Sequence, residues 1–339
     1  MLAAWSQVRL EADGAGQTYE LINSVLAPDG DVIEAPDCSH PEVGRHITEQ
    51  FDTELNKHVF SFTLHVDDDD DRCRNFDRQR NEIKTYDKSP DNLLGVLGEQ
   101  VIYSWKFKLP EGFQVSSSFT HLHQLKAVDG PEDAMPLITL TARKGSPDDL
   151  ELRYARSLSQ ETLVEFPLQD FRGRWVEVVE DVVYGDNLDG RYAIEIKAID
   201  NGETLFQYAD DAIRMWKTDA AFVRPKWGIY RSLNNSQDLK DESVLFADFS
   251  IEEVNVNPLS VMDTNKAALY PNPVEEVISI RNLNTAIFGD AQIYDLGGRL
   301  IQRFEVKPQI DVSLLGAGMY FIKLNGGDQG DHLIKFLKK

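Results

Sequence analysis

Apolar and polar residues alternate with a period of two along most of the first 254 positions. In residues 59–66 the apolar set includes Phe60, Phe62, Leu64 and Val66. In residues 101–109 it is Val101, Tyr103, Trp105, Phe107 and Leu109. Successive side chains of a strand point to opposite faces, so this pattern predicts strands with one buried face. The same reading predicts strands over residues 137–143, 150–154, 175–183, 191–199, 226–231 and 244–254. Asp200-Asn201-Gly202-Glu203 separates two of them and reads as a hairpin turn, because Asn and Gly tolerate positive φ. Helical periods are scarce, and the clearest is the short stretch 210–216. Many strands joined by short polar turns predict an all-β sandwich or barrel.

The pattern breaks at Asn255. Residues 255–268 mix Asn, Pro, Ser, Asp and Lys without a period and read as a linker. Alternation returns from Leu269, and the chain closes on Lys335-Phe336-Leu337-Lys338-Lys339. The expected organisation is a large β domain over 1–254, a linker over 255–268 and a small C-terminal β-sandwich domain over 269–339.

Composition narrows the partners. The chain has 339 residues, 42% hydrophobic and 10% aromatic, as a globular protein requires. Its 57 Asp and Glu against 35 Lys and Arg give a formal charge of −22, which disfavours nucleic acid and anionic membranes. No apolar run approaches the ~18 residues of a membrane span. Met1-Leu2-Ala3-Ala4-Trp5-Ser6 lacks the basic segment and apolar core of a signal peptide, which leaves a cytoplasmic protein or one whose leader is already removed. Bulk acidity still permits a local cationic cleft, because salt screens separated charges beyond ~8–10 Å.

Three stretches carry candidate chemistry: Asp77-Arg78-Gln79-Arg80-Asn81-Glu82-Ile83-Lys84, His121-Leu122-His123-Gln124-Leu125-Lys126 and Lys226-Trp227-Gly228-Ile229-Tyr230. Each reads as a strand. Parity puts Arg80, Glu82 and Lys84 on one face, Gln124 and Lys126 on one face, and Lys226, Gly228 and Tyr230 on one face. Together they predict a surface that grips a polyanion and moves protons. Thr141 and Arg143 share a face and could contact sulfate or carboxylate; Arg224 and Arg231 are further candidates. His121 and His123 fall on the face opposite Gln124 unless a bulge intervenes.

Residues 269–339 resemble the C-terminal sorting domain of the type IX secretion system. The match lies in Tyr270-Pro271-Asn272-Pro273, Tyr294-Asp295-Leu296-Gly297-Gly298-Arg299, Gly318-Met319-Tyr320-Phe321-Ile322-Lys323 and the Lys-rich end. The resemblance implies a Bacteroidetes protein secreted to the cell surface or beyond, with the type IX machinery as a partner. In an exported protein Cys38 and Cys73 could form one disulfide; two free thiols are the other reading.

The three strand motifs resemble those of jelly-roll polysaccharide lyases. Alginate lyases of this fold carry Arg-x-Glu-Leu-Arg, Gln-Ile-His and Lys-x-Gly-x-Tyr in the same order. Here Lys126 stands where those enzymes have histidine. The fuller strings are similar to glucuronan lyases and to the ulvan lyases of polysaccharide lyase family 28. The resemblance covers roughly residues 20–254. It implies a jelly-roll β-sandwich with a concave groove, acting by β-elimination on a polymer containing 4-linked uronate, ulvan above all, as a monomer that requires no cofactor. Glucuronan and alginate are the alternative substrates. Such an enzyme must neutralise the uronate carboxylate, withdraw the C5 proton and protonate the leaving O4. Gln124 and Arg80 are the expected neutralisers, assisted by Asn81 or a lysine. Tyr230 is expected to move protons, because surrounding cations favour a phenolate. Lys126, His123 and His121 are alternative bases. Glu82, Lys84, Thr141, Arg143, Arg224, Lys226 and Arg231 are expected to bind substrate.

Residues 67–71 are five consecutive aspartates and read as a solvated acidic loop, compatible with a structural calcium ion held by Asp side chains. A rival glycoside hydrolase would need paired carboxyls, and no Glu-x-Asp-x-x-Glu strand is present. A non-catalytic carbohydrate-binding protein would use the same basic groove without acid or base.

Overall fold

The structure, a computed structural model, describes residues 6–254, 268–270, 274–281, 290–295, 299–325 and 332–339. The chain divides into two compact units, residues 1–258 and 259–339. Most of the linker expected over 255–268 lies outside the described residues.

The first unit contains β1 (Ser6–Leu10), α1 (Thr18–Leu26), β2 (Ile33–Glu34), β3 (Ile47–Asp52), β4 (Lys57–Leu64), β5 (Arg78–Lys84), β6 (Gln100–Lys108) and β7 (Thr120–Val128). It continues through β8 (Ile138–Arg143), β9 (Asp149–Tyr154), β10 (Glu161–Pro167), β11 (Trp175–Val183) and β12 (Gly190–Ala198). Its last strands are β13 (Thr204–Ile213), β14 (Phe222–Ser232) and β15 (Glu242–Val254). One sheet runs β13-β12-β11-β6-β15-β4-β3, with β1 also on β15. The other runs β10-β9-β8-β7-β14-β5-β2. The alternating residues read from the sequence form the layer between them. Tyr103, Trp105 and Phe107 of β6 are fully or almost fully buried and face Leu122, Leu125, Trp227 and Ile229 of the second sheet in one continuous core. Trp227 spans the layers, 6.0 Å from Trp105 and 5.1 Å from Phe249 between ring centroids. This is the antiparallel jelly-roll sandwich that the strand pattern and motif resemblance imply.

Two local expectations differ. Residues 210–213 end β13 rather than starting a helix, because their partners on β12 (Gly190↔Ile213, Tyr192↔Asp210) supply ladder hydrogen bonds that outweigh weak helix propensity. The helix is α1, whose Thr18, Ile22 and Leu26 recur every four residues and bury one face. The hairpin turn is present, with Gly202 at φ +74° and its amide bonded to Ala198 O at 2.9 Å.

The second unit holds β16 (Ala268–Tyr270), β17 (Val277–Arg281), β18 (Asp290–Asp295), β19 (Leu300–Glu305), β20 (Gln309–Asp311), β21 (Gly318–Asn325) and β22 (His332–Lys338). They form sheets β16-β17-β20 and β19-β18-β21-β22 around their own core, which includes Ile278, Ile293, Ile322, Leu324 and Phe336. No described helix is long and apolar enough to cross a membrane.

Candidate active site

β14 lies between β5 and β7, and register chooses its neighbours. Tyr230 is opposite Arg80 on one side and His121 on the other; Lys226 is opposite Lys84 and Gln124; Arg224 is opposite Lys126. On the outer face of this sheet is a groove of about 370 Å³. Arg72, Arg78, Arg80, Arg143, Arg224, Lys126 and Lys226 line it, together with Phe119, His121, Gln124, Gln160, Tyr230, Met135 and Pro136. The one carboxylate in the lining is Glu34. A cationic cleft thus sits on a strongly acidic chain, as local rather than net charge requires.

Tyr230 is half-buried. Its hydroxyl accepts a hydrogen bond from Arg78 Nη1 at 3.0 Å, and the Arg80 guanidinium lies 3.6 Å from its ring centroid. Beneath the cations, fully buried Glu82 meets Arg80 Nη1 at 2.5 Å, Lys226 Nζ at 2.6 Å and Gln124 Nε2 at 2.5 Å. Glu34 meets Lys226 at 2.5 Å, Arg72 at 2.6 Å and Lys84 at 2.8 Å. Burial opposes charge on both carboxyls, yet Lys226 and Arg80 outweigh it and hold both below the ordinary carboxylate range. Arg224 differs from the other lining arginines: it is buried, its Nε and Nη1 have no hydrogen-bond partner, and its guanidinium lies 4.3 Å from the Tyr86 ring centroid. Lys126 Nζ donates to the Asp133 carbonyl at 2.6 Å. Burial, reinforced by Lys226 and Arg224, brings its amine down to about 8.

Two backbone irregularities shape this face. The β7–β8 register slips between His121 and His123, so Leu122 and His123 both enter the core and His121 turns to the groove. His121 stacks on Phe119 at 4.7 Å, and its Nδ1 pairs with Thr141 Oγ1 at 2.8 Å. Burial pushes its imidazole down to about 3, with Arg143 and Arg80 adding to the effect against Glu82. Gly228 sits at φ +142°, where an added Cβ would lie 2.1 Å from the Asn81 carbonyl oxygen. The Lys-x-Gly-x-Tyr spacing therefore has a steric cause: only glycine lets β14 approach β5 while Lys226 and Tyr230 both face the groove.

Arg80, Gln124, Lys126, His121, Arg143, Arg224, Lys226 and Tyr230 are thus gathered in one lining. Other expected residues are elsewhere. His123 is fully buried against Trp105 at 4.3 Å, its Nε2 2.9 Å from Glu180 of the opposite sheet, so it cannot reach a substrate. Asn81 points inward and donates to the His46 and Thr63 carbonyls, each at 2.9 Å. Arg231 is also internal, bonded to Gln79 Oε1 at 2.8 Å and to the Lys240 carbonyl at 3.0 Å. Glu82 and Lys84 lie under the lining, where Glu82 holds Lys226 and Arg80 and Lys84 pairs with Glu34. Thr141 is fully buried and acts on His121.

Glu34, Arg72, Arg78, Phe119 and Gln160 were not anticipated. Arg78 was legible, being two residues before Arg80 on the same strand face. Glu34 was not, because two-residue β2 has no period to read. Arg72 and Gln160 come from connections whose path is tertiary.

The aspartate run is solvated only at its start, where Asp67 and Asp68 are exposed. Asp69, Asp70 and Asp71 are at most 8% exposed. Asp70 accepts the Cys73 amide at 2.6 Å, and Asp71 accepts Arg80 Nε at 2.9 Å and Arg72 Nε at 2.8 Å. Cys38 and Cys73 are joined as a disulfide.

Similarity to known proteins shows the family. The family description "Polysaccharide lyase" matches residues 44–249, and "Secretion system C-terminal sorting domain" matches residues 268–339. No curated protein sequence matches. Among solved structures, an endo-β-1,4-glucuronan lyase from the fungus Trichoderma reesei is 15% identical, covering 77% of this chain and 94% of its own, with a TM-score of 0.43. A PL-14 alginate lyase from Aplysia kurodai is 13% identical over 72% of this chain and 97% of its own, with a TM-score of 0.49. The alginate lyase Aly36B is 14% identical over 73% and 96%, also at 0.49. The first family match spans more than half of the sequence: the chain belongs to the polysaccharide lyase family and carries a type IX sorting domain that sends it to the cell surface or beyond.

Proposed function

We propose that the groove binds ulvan and cleaves it by β-elimination at the 4-linked uronate, with Lys126 as base and Tyr230 as acid. The carrying observation is that an amine brought to about 8 and a phenol share one cation-lined groove. Neutral Lys126 takes the C5 proton. The C5 electron pair forms the C4=C5 bond, the C4–O4 bond breaks, and O4 takes the Tyr230 hydroxyl proton. Arg224, with its unpaired N–H groups, and Gln124, with the amide hydrogen that Glu82 leaves free, receive the uronate carboxylate. Arg80 is committed to Glu82, Asp71 and the Tyr230 ring, and it supplies field rather than a free fork. His121 is a weaker base at about 3, because a general base works best near the operating pH.

Ulvan places sulfated rhamnose beside its uronate, and Arg143 and Arg72 give the groove cations beyond those used on one carboxylate. The strand motifs also resemble ulvan lyases. Glucuronan would need no sulfate site. A hydrolase is disfavoured because Glu34, the single lining carboxylate, is bound by Lys226, Arg72 and Lys84.

The test incubates the protein with ulvan, glucuronan and alginate and follows the ultraviolet absorbance of the unsaturated uronate. Ulvan should give the fastest gain. Tyr230→Phe should slow turnover by roughly 10²–10⁴-fold and largely spare binding. Binding of all three polymers with no absorbance gain would identify a carbohydrate-binding protein instead.

A further inference from the structure

Outside the groove, four side chains converge without a role in the elimination. His40 and His46 come from the segment before β3, and His65 and Asp69 from the turn after β4. Asp69 is the hub: His40 Nδ1 lies 3.2 Å from Oδ1, His46 Nε2 3.1 Å from Oδ1, and His65 Nδ1 3.2 Å from Oδ2. One ligand atom from each residue can be chosen so that all lie within 4.8 Å of one another. The three rings are mutually crossed, at 50°, 85° and 75°. Asp69 and His46 are buried.

We propose that these residues form a structural Zn²⁺ site. The donor set is three imidazoles and one carboxylate, which suits zinc and not calcium, since calcium requires oxygen ligands throughout. Four protein ligands fill a tetrahedral ion and leave no open position, the mark of a structural rather than a catalytic site. Bonds of about 2.0–2.1 Å place tetrahedral ligand atoms about 3.3 Å apart, close to the 3.1–3.2 Å separations around Asp69. His46 has the outer support such ligands use: with Nε2 toward the site, its Nδ1 donates to Asp37 Oδ1 at 2.8 Å. Without an ion, one carboxylate must serve three imidazoles. The neighbouring Cys38, Asp70 and Cys73 also cluster, but their thiols are consumed in the disulfide.

The site's position gives it a purpose. It joins the segment carrying Cys38 to the turn that leads to Cys73, so metal and disulfide cross-link the same two segments. Between them lies Asp71, which holds Arg72 and Arg80 at the groove. The ion would fix the wall of the groove without touching the substrate.

The experiment uses the full chain, purified without a histidine tag, incubated with Zn²⁺ and desalted. Elemental analysis should find about one zinc per chain. Co²⁺ substitution should give the intense visible bands of a four-coordinate site. Stripping with dipicolinate should lower Tm by roughly 5–10 °C, restored by Zn²⁺. His40→Gln removes a partly exposed ligand that the fold can spare; it should keep the native circular dichroism spectrum and weaken zinc binding at least tenfold. Less than a tenth of an equivalent of metal in the wild type, with Tm unchanged by chelator, would overturn the proposal. So would zinc retained equally by wild type and His40→Gln.

Discussion

Lys126 and His121 face the same groove and differ by about five pH units in where they lose a proton, about 8 against about 3. Burial drives both down, but the lysine starts from a higher value and ends near the pH of use. That makes the two bases separable. If Lys126 is the base, its neutral form is the active one, so kcat/KM should climb tenfold per pH unit below about 8 and level above it. Acting through His121, the enzyme would show no rise near 8, because that imidazole is already neutral there. Lys126→Arg should be inactive across the range, since guanidinium does not deprotonate. At Gly228 the constraint is steric. Gly228→Ala would press a Cβ against the Asn81 carbonyl at a positive φ, and a loss of about 2 kcal/mol or more is expected in urea denaturation. An unchanged midpoint would show that β14 can move off β5.

At the scale of elements, short or irregular pieces do the positioning. Two-residue β2 pairs with β5 and sets Glu34 opposite Glu82, beneath Lys226. Removing that carboxylate leaves Arg72, Lys84 and Lys226 crowded with less counter-charge. Glu34→Ala should therefore cost about 3–5 kcal/mol in equilibrium unfolding, the range for stranding buried charge. A loss under about 1 kcal/mol would mean that solvent or Glu82 compensates. The connection before β8 is held from behind by fully buried Lys217, which donates to the Glu132, Met135 and Ser157 carbonyls. That connection supplies Met135 and Pro136 to the groove and the carbonyl that receives Lys126. The one-residue bulge in β7 turns His121 to the groove beside Gln124 and leaves His123 in the core, whereas strand parity alone assigns both histidines to the inner face.

Across the whole molecule, each unit has its own hydrophobic core, and the groove lies wholly within the first. A chain ending at Pro258 should keep the Tm of the first transition and the full elimination rate, measured by calorimetry and ultraviolet absorbance. Loss of either would make the second unit part of the enzyme. The net charge of −22 is a sum over the whole chain, whereas the groove lining holds seven cations and one carboxylate. Charge balance over the chain therefore disfavours nucleic acid but says nothing about the groove.

Much of this protein was legible from residues alone. Period-2 alternation fixed β6, β11 and the inner face of β14, because burial of one sheet face forces that pattern whatever the connections. Two-residue spacing brought Arg80, Gln124, Lys126, Lys226 and Tyr230 to one surface for the same reason. Only the tertiary structure assigned Glu34, Arg72 and Gln160, which arrive from segments with no period. It also turned His121 into the groove through a bulge, while His123 and Asn81 lie in the core on the faces that parity gives them. And it drew His40, His46, His65 and Asp69 together across a fold that no local spacing encodes. Periodicity reports which way a side chain points along its own strand; what it meets there depends on which distant strand lies alongside.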